Sequence, residues 1–112
     1  MMTSAVTDLF HDDINAVRAT ICNCFSQVPA RVFDALSRDR RIMMQTVMLG
    51  LARDEAPLVR ATASRTLGVY ITFQSLSSDA LFVADVALAL TDGLNDKNLN
   101  VRIRASWGLG NL

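Results

Sequence analysis

Disulfide-forming, turn-forming and aromatic residues are all scarce in this chain: its 112 residues include two cysteines, two prolines, five glycines and seven aromatic side chains. Cys22 and Cys24 stand two apart, which on a helix directs them about 200° from each other. They can neither bridge nor jointly hold a metal, and two free thiols fit a reducing, intracellular compartment, cytoplasm or nucleus. Excess charge is also missing, because eleven Lys and Arg balance eleven Asp and Glu. That excludes the electrostatic footprint of a dedicated nucleic-acid or anionic-membrane binder. The longest uncharged run, Thr66 to Ser78, contains Gly68, Thr72, Gln74 and Ser75 and is too short and too polar to span a bilayer. No basic region precedes an apolar stretch at the N-terminus, and Asp8 arrives early, so no secretory signal is expected.

What remains is rich in helix formers. Fourteen Ala, fourteen Leu and ten Val contribute to a 51% hydrophobic composition, and one all-α domain is the expectation. Its organisation shows when the sequence is laid against itself. At an offset of 42, Val17-Arg18, Val59-Arg60 and Val101-Arg102 fall in register, and six residues before each Arg stands an aspartate: Asp12, Asp54 and Asp96. Downstream the columns continue as Ile21, Ala63 and Ala105, then Phe25, Leu67 and Leu109, then Val28, Tyr70 and Leu112. These spacings trace one apolar stripe of an α-helix.

An earlier helix is predicted in each unit, since Met44, Val47, Met48 and Leu51 align with Val86, Ala89, Leu90 and Gly93. The turns between helices are then Asp54 to Ala56 and Asp96 to Asn98, with Pro57 in a first helical turn and Asn98 as an N-cap. Units of about 42 residues, at 1–28 (partial), 29–70 and 71–112, cannot bury their apolar faces alone and must stack.

These residues resemble the HEAT repeats, whose second helix carries a turn Asp, then Val-Arg, an Ala four residues past the Val, and Leu-Gly four after that. Val59-Arg60, Ala63 and Leu67-Gly68 match, as do Val101-Arg102, Ala105 and Leu109-Gly110. The first unit departs, with Ile21, Phe25 and Ser26 in the last three places. The resemblance implies an α-solenoid of stacked antiparallel helix pairs, a HEAT/armadillo-like superhelix that serves as an intracellular binding platform without chemistry of its own. It also implies a ladder pairing Asp12, Asp54 and Asp96 with Arg18, Arg60 and Arg102. A planar fork suits that role, and all three positions hold Arg rather than Lys.

Other candidates read as structural. His11-Asp12 aligns with Arg53-Asp54 and Asn95-Asp96, making His11 a solvated turn residue. Gly108-Leu109-Gly110 lies inside a predicted helix and lacks the strand and third glycine of a phosphate loop. Its glycines permit close helix contact. Cys22 shares a column with Ser64 and Ser106, and Cys24 with Thr66 and Gly108, so both read as packing residues. Arg38, Arg40 and Arg41, interrupted by Asp39, read as a solvated helix start. No nucleophile with a base and no metal-ligand cluster emerges, so neither an enzyme nor a cofactor is expected.

Opposite the apolar stripe run two columns, Asn23, Arg65 and Trp107, and then Gln27, Val69 and Asn111. Trp107 and Asn111 are an i, i+4 pair on one helix face. Their spacing is similar to the Trp and Asn pair with which armadillo repeats hold extended peptides, although one unit in three carries it. Trp107, Asn111, Arg65 and Arg104 are therefore the candidate partner-binding residues, with packing of Trp107 on the next repeat as the other reading. The expected function is a protein-binding scaffold using the second helices. The alternative is an RNA- or phosphate-contacting solenoid using Arg60, Arg65, Arg102 and Arg104. The units at both ends read as cut, which predicts a segment of a longer solenoid that self-associates when isolated.

Overall fold

A computed structural model describes the backbone of residues 4–112 and the side chains of residues 14–112. Seven helices follow one another: α1 (Ser4–Ser26), α2 (Ala30–Ala35), α3 (Arg38–Leu51), α4 (Pro57–Tyr70), α5 (Gln74–Ser77), α6 (Ala80–Gly93) and α7 (Leu99–Leu109). Among the described residues there is no strand, and the chain is all-α. Helices α3 and α6 are offset by 42 residues at both ends, and α4 and α7 start 42 apart, so the sequence period sets the element boundaries.

Local chemistry explains where the helices begin. The Ser37 side chain accepts from the Arg40 N–H at the head of α3, and Asp39 places a negative charge in its first turn. Pro57 opens α4, where a missing N–H breaks no hydrogen bond. Asp79 caps α6 by accepting from the Phe82 N–H, and Asn98 caps α7 by accepting from the N–H groups of Asn100 and Val101. The predicted turns fall within the connections 52–56 and 94–98.

Helix α4 lies between α1 and α7, while α3 packs on α4 and α6 on α7 as a second layer whose members also touch each other. Long-range side-chain hydrogen bonds among the described residues, from Arg18–Asp54 to Asn111–Gly68, join positions 36 to 45 apart. Partners therefore advance together along the chain, and α1, α4 and α7 run side by side in the same direction. Val59, Ala63, Leu67 and Tyr70 of α4 are fully buried, as the apolar stripe predicts, and Val101 and Ala105 of α7 match them. Met44, Met48, Val86, Ala89 and Leu90 supply the core from the second layer.

Three expectations need correction. First, α1 is continuous from Ser4 to Ser26, so His11 and Asp12 lie within a helix and not in a turn; their side chains are outside the described residues. The position of the Asn98 cap is occupied here by Ile14, which cannot cap, and no Pro or Gly stops the helix before Ser26. Second, two short helices, α2 and α5, precede the helix pairs. Six and four residues are too few for a helical period to show. Third, Val17 and Ile21 of α1 are exposed, since α1 packs on α4 and no described helix covers their face, and Leu112 is half exposed.

Two glycines meet where α4 and α7 cross. A Cβ on Gly68 would stand 2.9 Å from the Gly108 Cα and 2.6 Å from Trp107 Cζ3. The close approach expected of the glycines thus occurs at Gly68 and Gly108, while Gly110 is the C-cap residue of α7. Gly50 of α3, by contrast, has nothing within 4 Å of an added Cβ. Gly50→Ala should accordingly raise stability by up to about 1 kcal/mol, and Gly68→Ala should lower it by about 1–2 kcal/mol, overpacking outweighing the gain in helix propensity. Urea unfolding checks the opposite signs; two changes of the same sign would contradict this account of the crossing.

Candidate functional site

The Asp and Arg columns form a ladder offset by one unit from the pairing the resemblance implies. Arg60 donates from Nε to Asp96 Oδ2 at 2.8 Å and from Nη2 to Asp96 Oδ1 at 3.0 Å. To its own Asp54 it donates only from Nη1, into the backbone carbonyl at 3.0 Å, with the Glu55 carbonyl at 2.9 Å. The Asp54 carboxylate instead receives Arg18, whose Nη2 lies 3.0 Å from Oδ2 and whose Nε lies 3.0 Å from Oδ1. Arg102 repeats the inner half of the pattern by donating to the Asp96 and Lys97 carbonyls. Asp12 lies outside the described side chains, and Arg18 bonds the Asn15 amide oxygen in addition to Asp54.

The reason for the offset is geometric. Each turn carboxylate folds back to accept an N–H two residues on, Asp54 from Ala56 and Asp96 from Asn98, and its remaining lone pairs meet Arg18 of α1 and Arg60 of α4 respectively. Burial opposes ionisation of Asp54, but the Arg18 hydrogen bond, the Ala56 N–H and the charges of Arg18 and Arg60 outweigh it and hold its pKa below the ordinary value. The Arg60 hydrogen bond, set against burial and helped by the Asn98 N–H and the charges of Arg60 and Arg102, does the same for Asp96.

Both carboxylates ionise more readily in the folded chain than in the unfolded one. The stability they confer is therefore complete above the unfolded carboxyl range, near pH 4, and is lost as the pH falls through the lower folded values. Denaturant midpoints should drop steeply on acidification below about pH 4. Asp96→Asn should be less stable at neutral pH and show a shallower acid limb; an unaltered limb would remove Asp96 from the acid response.

On the surface of α1, α4 and α7, a furrow of about 320 Å³ is lined by Asn23, Gln27, Leu58, Ala61, Thr62, Arg65, Asn100 and Arg104. A second hollow of about 420 Å³ continues it between α1 and α4, over Ala16, Ala19 and Thr20, and shares Asn23, Leu58 and Thr62. The lining positions follow the 42-residue columns Ala16, Leu58 and Asn100; Thr20, Thr62 and Arg104; and Asn23, Arg65 and Trp107. Of these, Ala16, Thr20, Leu58, Thr62 and Asn100 were not among the candidates. Extending the two columns by two turns toward the helix starts would have found them.

Arg65 and Arg104 thus come together in one furrow, while Trp107 and Asn111 engage α4. The Trp107 ring covers Gly68, yet the residue remains 47% exposed. Asn111 donates from Nδ2 to the Gly68 carbonyl at 3.0 Å, satisfying one of the carbonyls left open at the end of α4. That bond uses one of its two amide N–H donors, and the side-chain oxygen has no partner among the described residues. Arg65 makes one long contact, Nη1 to Ser26 Oγ at 3.4 Å, and Arg104 has no carboxylate partner among the described residues.

Cys22 is fully buried, and burial, with the Asp54 charge adding, pushes its thiol up to about 11, so it is a packing residue and no nucleophile at neutral pH. Cys24 is exposed, contrary to expectation. Its column faces the preceding unit, as Thr66 Oγ1 donating to the Cys22 carbonyl shows, and α1 has no described neighbour on that side. Arg38 and Arg41 line a separate cavity of about 220 Å³ with Phe33, Gln45, Ser75 and Asp79. Among the described residues no group of three or more His, Cys, Asp or Glu could hold a metal ion, and no helix is long and apolar enough to cross a membrane.

No family model matches the chain, and no solved structure matches it. Over 101 residues, 90% of its length, it is 41% identical to a protein of Dictyostelium discoideum described as uncharacterised, and the matched stretch spans 7% of that relative.

Proposed function

We propose that this chain is a segment of an α-solenoid of the HEAT and armadillo-like class, a non-enzymatic scaffold that holds a protein partner on the face formed by α1, α4 and α7. The observation that carries the reading is the furrow, which draws lining residues from all three helices at matched repeat positions. The 42-residue register of both layers supports stacking, as does a radius of gyration of 14.8 Å, larger than the roughly 13 Å of a globular chain of this length. A short leading helix in the units 29–70 and 71–112 agrees with the three-helix members of the class. Residues 58–112 resemble part of HEAT repeat-containing protein 6, and in the Dictyostelium relative the matching stretch is a small part of a far longer chain, as a repeat segment would be.

Under this reading Arg65 and Arg104 contact the partner within the furrow, the exposed half of Trp107 extends that surface, and Asn111 fixes α7 against α4. The protein works as a monomer within its chain, needs no cofactor, and resides in the cytoplasm or nucleus. An RNA- or phosphate-contacting role is less well supported, because Arg60 is committed to Asp96, and Arg102 to two backbone carbonyls. A photo-crosslinking residue at Thr62, in the furrow, should trap a protein, and the same residue at Leu88, on α6, should not. Equal trapping at both positions, or RNA trapped at Thr62, would sink the scaffold reading.

A further inference from the structure

We infer that the furrow across α1, α4 and α7 takes an acidic peptide segment carrying an apolar anchor residue, a refinement that rests on the scaffold reading above. Arg65 and Arg104 both line it, and no carboxylate does among the described residues. In a chain of zero net charge, this places two cations in one hollow without an acidic neighbour. Every other arginine of α4 and α7 is spent inside the protein: Arg60 on Asp96, and Arg102 on the Asp96 and Lys97 carbonyls. Guanidinium forks left open toward solvent suit carboxylates.

The remaining lining residues select a peptide over other anions. The Asn23, Gln27 and Asn100 side-chain amides are exposed and make no hydrogen bond to another described residue; an amide offers both a donor and an acceptor, the pair that a peptide backbone needs. At the other end the floor turns apolar, with Ala16, Ala19 and Leu58, and Leu58 is 57% exposed. A leucine-sized side chain resting there would leave acidic residues on one side of it over Arg65 and Arg104. Single-stranded RNA fits less well, since two cations neutralise few phosphates and no aromatic ring lines the hollow for bases to stack on.

The probe is a fluorescein-labelled peptide of one leucine flanked on each side by four glutamates, read by fluorescence anisotropy on the whole chain. Controls are the same peptide with glutamines and a twelve-nucleotide uridine RNA. The acidic peptide should bind, weaken several-fold between 50 and 200 mM salt as expected of ion pairing, and lose at least tenfold in affinity with Arg65→Glu or Arg104→Glu. Both residues lie outside the ladder and the core, so unchanged circular dichroism and melting should accompany that loss. Leu58→Ser should weaken binding without altering its salt dependence. Equal binding of the glutamine peptide, binding indifferent to both charge reversals, tighter binding of the RNA, or no binding of the acidic peptide would each overturn the proposal. If the peptide fails while the Thr62 crosslinker still traps a protein, the acidic class is wrong and the scaffold reading stands. If both fail, both fall.

Discussion

Arg60→Ala should lower the stability of the fold by about 1.5–3 kcal/mol, the scale of hydrogen bonds to charged groups. The substitution removes the two-pronged contact to Asp96 and the Nη1 contacts to the Asp54 and Glu55 carbonyls at a stroke. What it leaves behind matters more than what it takes away. The Asp96 side chain is 14% exposed, so an unpaired carboxylate would sit in a site with little access to water. Arg60→Lys should recover part of the loss, because one ammonium can reach the carboxylate or the carbonyls but cannot reproduce the planar fork. Arg53→Ala is the control: its 2.9 Å ion pair with Asp92 is likewise between units, but the side chains are 55% and 66% exposed. Screening by solvent should hold that effect under about 1 kcal/mol. Thermal melts separate the cases, and equal losses for Arg60→Ala and Arg53→Ala would refute the assignment of the ladder as the stronger tie.

The ladder also shows which features could be read before the structure. Three Asp and Arg pairs at equal spacing announce a repeating contact, but the same columns appear whether each Arg meets its own unit's Asp or the next one's. Only the turn geometry, in which Asp54 and Asp96 bend back to their own N–H donors, settles the direction. The helices α3, α4, α6 and α7 were legible for a different reason. Their apolar stripes span enough turns to show a period, and Pro57 and Asn98 mark the starts of α4 and α7 through local chemistry. In α1 the same register misleads, because a column position says nothing once Ile14 replaces the cap and the helix runs on.

The candidate site divides along the same line. Periodicity placed Arg65, Arg104, Trp107 and Asn111 on one side of the second helices, and Arg65 and Arg104 do share a furrow. That Asn111 also ties α7 to α4 depends on an end-of-helix carbonyl at Gly68, 43 residues away, lying within reach of its amide. A contact of that kind follows from how closely two helices approach. Here that distance is controlled by the missing side chains of Gly68 and Gly108.

The largest single loss is expected from Phe33→Ala, about 3–5 kcal/mol. Phe33 is the one buried residue of α2, a helix of six residues, which is too short to hold itself together in water. Its ring lies 5.7 Å from those of both Tyr70 and Phe73, and these two stand 5.5 Å apart. The three rings thus join α2, the end of α4 and the approach to α5, which is where one unit passes into the next. Truncation leaves a cavity bordered by two large rings that cannot close it without moving a helix end, so little of the loss should be relieved by relaxation. Tyr70→Phe should be mild by comparison, under about 1 kcal/mol, because the hydroxyl bond to the Phe25 carbonyl is long, at 3.5 Å. Trp107, the one tryptophan, reports from α7, well along the chain from this cluster. Because α4 packs on α1, α3 and α7 alike, the Trp107 fluorescence and the helical circular dichroism signal should shift to lower denaturant together in Phe33→Ala. A variant in which helicity falls early while the Trp107 transition stays at its original midpoint would show that the aromatic cluster holds α2 alone and does not tie the units to each other.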